Sequence, residues 1–184
     1  MCPAAPPPPV TSPVSLRTTS LPSDQPLTDD DARYLRQAFV WANAARTRGN
    51  RPFGAVVVAA SGRLLAEAFS NTRETGDSTG HAEMNAVRQL ANPLVPREVL
   101  ATATLYASAE PCAMCAAAIC SAGIGRVVYG LDAERLHHIR PDLRATQLSA
   151  QDVFASATVE VECLGPCLVG EALAVYEDSW YPPT

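Results

Sequence analysis

The sequence has little charge, few aromatic residues and no long hydrophobic run. Charged residues make up 18% and aromatic residues 6% of the 184 positions, whereas hydrophobic residues make up 47%. This composition is typical of globular proteins and not of disordered ones. No stretch of about 18 consecutive apolar residues occurs, so the sequence offers no candidate membrane-spanning helix. The net charge of −5 disfavours a protein that binds polyanions through a basic face.

The N-terminal region also lacks the apolar core of a secretory signal peptide, because half of the 16 prolines lie within residues 1–26. Six cysteines would suit a disulfide framework in a small secreted protein. In a chain of this length without an export signal, metal binding and buried thiols explain them better. We therefore expect a cytoplasmic protein with reduced cysteines.

The length suits one folded domain with its own hydrophobic core. Residues 1–27 are rich in proline and serine and have almost no hydrophobic periodicity, so we expect an extended, disordered tail there. A proline-rich docking segment for a partner is the alternative interpretation. Residues 28–184 form the predicted domain.

Helical and strand patterns alternate through this domain. The order predicts a three-layer α/β/α sandwich around a five-stranded mixed sheet, whose first two strands form a hairpin and whose fourth and fifth strands run parallel. The predicted elements are a helix from Thr28 to Arg48, strands at Phe53–Ala60 and Arg63–Phe69, a loop at Asn71–Gly80, a helix at His81–Leu90, a strand at Thr102–Ser108, a cysteine-bearing helix to Ala122, a strand at Arg126–Tyr129, helical pieces at Ala133–Ile139 and Ser149–Phe154, a strand at Thr158–Cys163, and a last helix from Pro166 to Trp180.

Three residues have the types and spacing of zinc ligands. Cys112 and Cys115 are three apart, so they share one face of a helix, and in its first turn the helix dipole favours the thiolate form. His81 begins another predicted helix and reaches the same metal only if the ion lies off that helix's N-terminal end. No fourth ligand is evident nearby, which favours a catalytic zinc site with a position for water over a structural site.

Glu83, two residues after His81, is a carboxylate that the zinc does not need as a ligand. Bound zinc lowers the pKa of its water from about 15.7 to roughly 7. We expect Glu83 to take the proton from this water, return it to a ring nitrogen, and finally protonate the departing amine. The alternative is a solvated carboxylate in the first turn of a helix.

The remaining cysteines and histidines carry no comparable pattern. We interpret Cys120, Cys163 and Cys167 as packing thiols. His137 and His138 stand between arginines and are interpreted as residues of an exposed helix.

His-x-Glu followed by Pro-Cys-x-x-Cys is a known signature of zinc nucleobase deaminases. The sequence resembles the cytidine/deoxycytidylate deaminase superfamily, in the branch of bacterial guanine deaminases and tRNA adenosine deaminases. The resemblance covers residues 28–180 and rests on motifs that fall in family order: Arg51-Pro-Phe-Gly-Ala-Val-Val-Val58, Asn71, Gly80-His-Ala-Glu83, Thr104-Leu-Tyr106, Glu110-Pro-Cys-Ala-Met-Cys115 and Gly125-Arg-Val-Val-Tyr-Gly130.

This resemblance implies a homodimer with one zinc ion per subunit. It implies a contact from Asn71 to the substrate base, and a role for Glu110 in binding the base or moving protons. An aromatic residue near the C-terminus is expected close to the pocket, with Trp180 or Tyr181 as candidates. The implied reaction is hydrolytic deamination of a free nucleobase or nucleoside, with a guanine-type purine favoured.

Three alternative functions stay open. Deamination of adenosine in tRNA needs cations for phosphate contacts, and the acidic net charge and the lack of a Lys/Arg cluster near the C-terminal helix disfavour it. Deamination of cytosine or cytidine derivatives is the second alternative, because the same zinc chemistry can act at the amino-bearing carbon of a pyrimidine. A zinc-stabilised binding module is the non-enzymatic alternative, and the presence of Glu83 disfavours it.

Overall fold

The computed structural model describes residues 26–91, 95–143, 146 and 148–176. The predicted disordered tail, residues 1–27, therefore lies almost wholly outside the described residues. Trp180 and Tyr181 lie outside them as well. None of the described helices is both long and apolar enough to cross a membrane.

Strands and helices alternate along most of the described chain. The strands are β1 (Gly54–Val58), β2 (Leu64–Phe69), β3 (Thr104–Ala109), β4 (Arg126–Leu131) and β5 (Glu162–Leu164). The helices are α1 (Asp29–Thr47), α2 (Thr72–Thr75), α3 (Ala82–Gln89), α4 (Arg97–Leu100), α5 (Ala113–Ala122), α6 (Ala133–Ile139), α7 (Ala150–Ser156) and α8 (Val169–Tyr176).

The strands form one mixed sheet in the order β2-β1-β3-β4-β5. β1 runs antiparallel to both β2 and β3, whereas β3, β4 and β5 run parallel to one another. The structure thus confirms the predicted hairpin, the mixed five-stranded sheet and the parallel fourth and fifth strands. Because β3 and β4 are parallel, the chain segments that follow them leave the same edge of the sheet.

Helices cover both faces of this sheet, as the predicted sandwich requires. Val57 and Leu105 point to the face that is covered by α3, α5 and α7, where they pack with residues such as Ile119. Their neighbours Val56 and Tyr106 point to the opposite face, which is covered by α1, α6 and α8. The alternation follows from the two-residue period of a strand, so a continuous apolar run fills both cores.

A buried network of charged and polar groups fixes the N-terminal end of α1. Thr28 and Asp31 cap the helix reciprocally, with Thr28 Oγ1 accepting from the Asp31 N–H at 3.0 Å. The Asp31 carboxylate, only 3% exposed, also accepts from the Tyr106 hydroxyl at 2.9 Å and from Arg126 at 2.6 and 3.1 Å. Arg126 in turn lies 3.3 Å from the Glu162 carboxylate. The network therefore connects α1 to strands β3, β4 and β5.

The predicted start of the last helix at Pro166 is wrong, since α8 begins at Val169. The backbone before α8 is hydrogen-bonded to the sheet, because the Cys167 N–H donates to the carbonyls of Tyr129 and Gly130 in β4. Residues just after the proline therefore dock on the sheet before the helix can begin.

Two further differences concern short elements. The last strand is shorter than the predicted Thr158–Cys163, because it pairs with β4 at only three positions, starting with Arg126 opposite Glu162. The predicted loop Asn71–Gly80 contains one helical turn, α2, which Asn50 caps from a distance. The buried Asn50 Oδ1 accepts from the backbone N–H groups of the second and third residues of α2 at 3.1 and 3.0 Å.

Candidate active site

His81 and Cys112 each occupy the position just before a helix, α3 and α5 respectively, with extended backbone angles. Neither side chain caps its own helix, so the imidazole and the thiol are not committed to backbone amides. Cys115 follows in the first turn of α5 and is fully buried. Because α3 and α5 cover the same face of the sheet, the starts of both helices meet.

The three donor atoms form a nearly equilateral triangle. His81 Nδ1 lies 3.6 Å from each of the sulfurs of Cys112 and Cys115, and the two sulfurs lie 3.6 Å apart. Zn–S bonds of about 2.3 Å and Zn–N bonds of about 2.0–2.1 Å at a tetrahedral ion require S–S and S–N edges of about 3.8 and about 3.6 Å. The donor set therefore fits one zinc ion. Within the part of the chain that the structure describes, no other group of three His, Cys, Asp or Glu donors is close enough to share a metal.

The electrostatics of the thiols also suit a cation. The hydrogen bond between the thiols of Cys112 and Cys115, together with the bond to His81, lowers the pKa of Cys112 to about 4. The same bond with Cys112, together with burial, raises the pKa of Cys115. In the absence of a cation, one thiol ionises at the expense of the other. A zinc ion supplies the charge that lets both act as thiolates.

Glu83 lies in the first turn of α3 and is only 7% exposed. Burial raises the pKa of its carboxyl group to about 7, although its hydrogen bond with Cys115 partly offsets this. A carboxyl group with a pKa near neutrality can both accept and donate a proton at physiological pH. The structure thus places the buried carboxyl group of Glu83 beside the predicted metal ligands.

Asn71 is held next to Gly80, the residue that precedes the predicted ligand His81. Its Oδ1 accepts from Asn85 Nδ2 at 2.9 Å, and its backbone N–H donates to the carbonyl of Gly80 at 3.0 Å. A Cβ on Gly80 would lie only 2.4 Å from Asn71 Oδ1, so the residue before His81 must be glycine for this approach. Sequence reasoning missed Asn85, whose only signal is its position one helical turn after His81.

Both carboxylate oxygens of Glu110 accept hydrogen bonds from backbone N–H groups of the protein. Oε2 accepts from the N–H of Ala133 at 3.0 Å, and Oε1 accepts from the N–H of Ala150 at 2.9 Å. The third residue predicted to contact substrate, Trp180, lies outside the described residues. Of the predicted substrate contacts, the structure therefore describes Asn71 and Glu110.

A cleft of about 500 Å³ opens beside the metal ligands and is lined by residues of mostly polar or cationic character: Arg51, Thr72, Arg73, Gly76, Ser78 and His81. This volume is in the range of small-molecule sites. Sequence analysis assigned no role to the cleft arginines, since an arginine in a loop carries no signal that distinguishes a site residue from a surface residue.

The described cysteines and histidines outside the predicted metal site lie as interpreted. Cys163 and Cys120 are half-buried and Cys167 is buried, without a disulfide. His137 and His138 are exposed on α6.

A family model of the cytidine and deoxycytidylate deaminase zinc-binding region matches residues 28–131. This chain belongs to that family. The match includes all three predicted zinc ligands and Glu83, which confirms the resemblance seen in the sequence and identifies the domain as a zinc-binding deaminase domain.

Three known proteins illustrate the range of the relatives. A probable cytosine deaminase of Schizosaccharomyces pombe is 33% identical over 161 residues, which cover 86% of this chain and 97% of that protein. A solved structure from studies of tRNA:A34 deaminases is 29% identical, with a TM-score of 0.63, and covers 78% of this chain and 99% of that chain. The structure of a guanine deaminase from Bacillus subtilis is 30% identical, with a TM-score of 0.51, and covers 63% and 79% of the two chains.

Proposed function

We propose that this deaminase hydrolyses the exocyclic amine of a free nucleobase or nucleoside and releases ammonia, with a guanine-type purine as the leading substrate. The observation that carries the proposal is the buried carboxyl group of Glu83 beside the triangle of His81, Cys112 and Cys115. Zinc bound there supplies the Lewis acidity that activates water near neutral pH.

Glu83 carries the protons in this proposal. Hydrolysis replaces the amino group with an oxygen from water, so one proton must move from the water to a ring nitrogen and another must reach the departing amine. A single carboxyl group with a pKa of about 7 can accept each proton and then donate it. General acid/base catalysis of this kind typically contributes about 10² to 10⁴ in rate.

Asn71 is the proposed contact to the substrate base. Asn85 donates a hydrogen bond to the side-chain carbonyl oxygen of Asn71. The side-chain N–H groups of Asn71 are therefore the proposed donors to an acceptor on the base. A C-terminal aromatic residue, Trp180, is proposed to lie near the pocket. For Glu110, the hydrogen bonds to two backbone amides favour a different role from substrate contact.

Cytosine is the second candidate substrate, because the likeness to the probable cytosine deaminase extends over nearly the whole of that protein. The net charge of −5 favours a small substrate over tRNA, since tRNA binding relies on neutralising phosphates. We also propose a homodimer, which sedimentation of the zinc-loaded protein would test.

Ammonia release from guanine, guanosine, adenosine, cytosine, cytidine and a tRNA anticodon stem-loop tests the substrate. We expect guanine to give the highest kcat/KM. A higher value for cytosine or for the stem-loop would replace guanine by that substrate. A silent panel from protein that holds one zinc per chain would favour a binding module instead.

Glu83→Ala tests the mechanism separately. We expect the variant to keep its zinc and its fold and to lose at least about 10² in turnover. Glu98→Ala, in the first turn of α4 and exposed, is the matched control and should retain activity. Turnover by Glu83→Ala near the wild-type rate would refute the assignment of the proton carrier.

A further inference from the structure

Glu110 joins three parts of the chain at one edge of the sheet. Its backbone N–H donates to the carbonyl of Leu131 at the end of β4 at 2.8 Å. Its carboxylate accepts from the N–H of Ala133, the first residue of α6, and from the N–H of Ala150, the first residue of α7. The starts of α6 and α7 are therefore held by one side chain.

These bonds do more than cap two helices. α6 already has a cap in Asp132, and α7 has one in Ser149, whose side chains accept from backbone N–H groups further along each helix at 2.8 and 3.0 Å. The amides of Ala133 and Ala150 are among those that a helix leaves without an internal acceptor. Glu110 therefore adds one hydrogen bond at the start of each helix beyond those of the local caps.

The residue that holds both helix starts is also part of the zinc-ligand loop. Glu110 is followed by Pro111 and by the predicted ligand Cys112, so movement of its carboxylate and movement of the thiol are linked through two residues.

We propose that Glu110 is a positioning residue that fixes the starts of α6 and α7 against the loop that carries the predicted zinc ligand Cys112. It does so without contacting the base or carrying protons. Both partners of its carboxylate are N–H donors, so the site needs two acceptor oxygens on one side chain. Glutamine offers one acceptor and sets its own N–H group against a donor. Aspartate keeps both oxygens on a shorter side chain.

Amide hydrogen exchange in the zinc-loaded protein tests the positioning role without any substrate. In Glu110→Gln we expect protection at Ala133 or Ala150 to fall about tenfold to a hundredfold, because a hydrogen bond to a charged group is lost. Zinc should stay at one per chain. Ser149→Ala is the control, since it removes the local cap of α7 and should leave the Ala133 amide protected.

Kinetics with whichever substrate the ammonia panel identifies form the second arm, and this arm alone rests on the proposed function. If Glu110 acts by positioning, a loss of kcat/KM in Glu110→Gln should accompany the loss of amide protection, and Glu110→Asp should restore part of both. A large fall in kcat in Glu110→Gln, with KM and both amide protections unchanged, would overturn the proposal in favour of a catalytic role. If Glu110→Gln does not fold, Glu110→Asp provides the same comparison with a smaller expected change.

Discussion

Replacing Asp31 by asparagine tests the buried network at the start of α1. The substitution keeps the size of the side chain but removes the charge that faces Arg126 and one of the acceptors that serve Tyr106 and Thr28. Burial by itself raises the pKa of Asp31, but the hydrogen bonds from Arg126, Thr28 and Tyr106 together outweigh burial and lower the pKa to about 2. The folded protein therefore stabilises the charged form.

The sign and size of the effect follow from this pKa. Because the pKa of Asp31 is lower in the folded chain than its ordinary value of 3.8, the unfolded chain binds the proton more readily. The contribution to stability is complete above about pH 5 and declines as the pH falls through 3.8 towards 2. At about 1.36 kcal/mol per pKa unit, the full contribution is about 2 kcal/mol.

Urea unfolding of the wild type and of Asp31→Asn at several pH values measures the contribution of the Asp31 charge to the free energy of unfolding. The difference in unfolding free energy should be constant from about pH 7 to about pH 5, and should shrink by about 1 kcal/mol by about pH 3. Loss of zinc in acid affects both proteins and cancels in the difference. Asp30→Asn, in an exposed pair with Arg33, is the control and should remain close to the wild type. A difference that does not change with pH would show that the network does not hold Asp31 ionised.

Three further substitutions test other contacts. Tyr176→Phe removes the hydrogen bond that the hydroxyl donates to Ser108 Oγ at 2.8 Å, and should lower the unfolding free energy by about 1 kcal/mol; an unchanged value would show that this bond contributes nothing net. Gly54→Ala places a methyl group 2.2 Å from the carbonyl oxygen of Ala38, so β1 and α1 must separate, and thermal unfolding should report a loss of about 1–3 kcal/mol or more. Cys112→Ser leaves two of the three predicted ligands, and metal analysis after dialysis should find well under one zinc per chain; full retention would exclude this cysteine as a ligand.

The features that could be predicted from the sequence have local signals. The hairpin of β1 and β2 follows from two apolar runs with a glycine turn between them. The spacing of three residues brings the side chains of Cys112, just before α5, and Cys115, in its first turn, to the same side. His81 needed one further step, the condition that its helix begins there, and the structure shows that α3 does begin at the next residue.

The features that could not be predicted depend on partners distant in the chain. Asn50 caps α2 across 23 and 24 residues, so no local pattern could reveal that helical turn. The Cys167 N–H donates to carbonyls of β4. Because of this contact, α8 begins at Val169 and not at Pro166, where the proline had indicated a helix start. In both cases hydrogen bonds between residues distant in the sequence determine where a helix forms.

Glu110 shows the same limit within the site. The family resemblance implied a role for Glu110 in binding the base or moving protons, but its carboxylate partners lie 23 and 40 residues downstream. A motif locates the residue, and only the fold shows what the side chain contacts. The choice of substrate is unpredictable for the same reason, since the cleft walls come from loops that the sheet brings together.

The arrangement of the metal donors also bears on how the chain assembles. The two thiols are three residues apart, whereas the imidazole comes from 31 residues upstream of the first of them. An unfolded chain can therefore offer zinc two thiolates, but it offers the histidine only once α3 has docked beside α5. The affinity gained with the third ligand belongs to the folded state alone, so zinc stabilises the fold by mass action, less whatever binding the unfolded thiolates retain. Zinc starvation would then reduce the amount of folded protein as well as its activity.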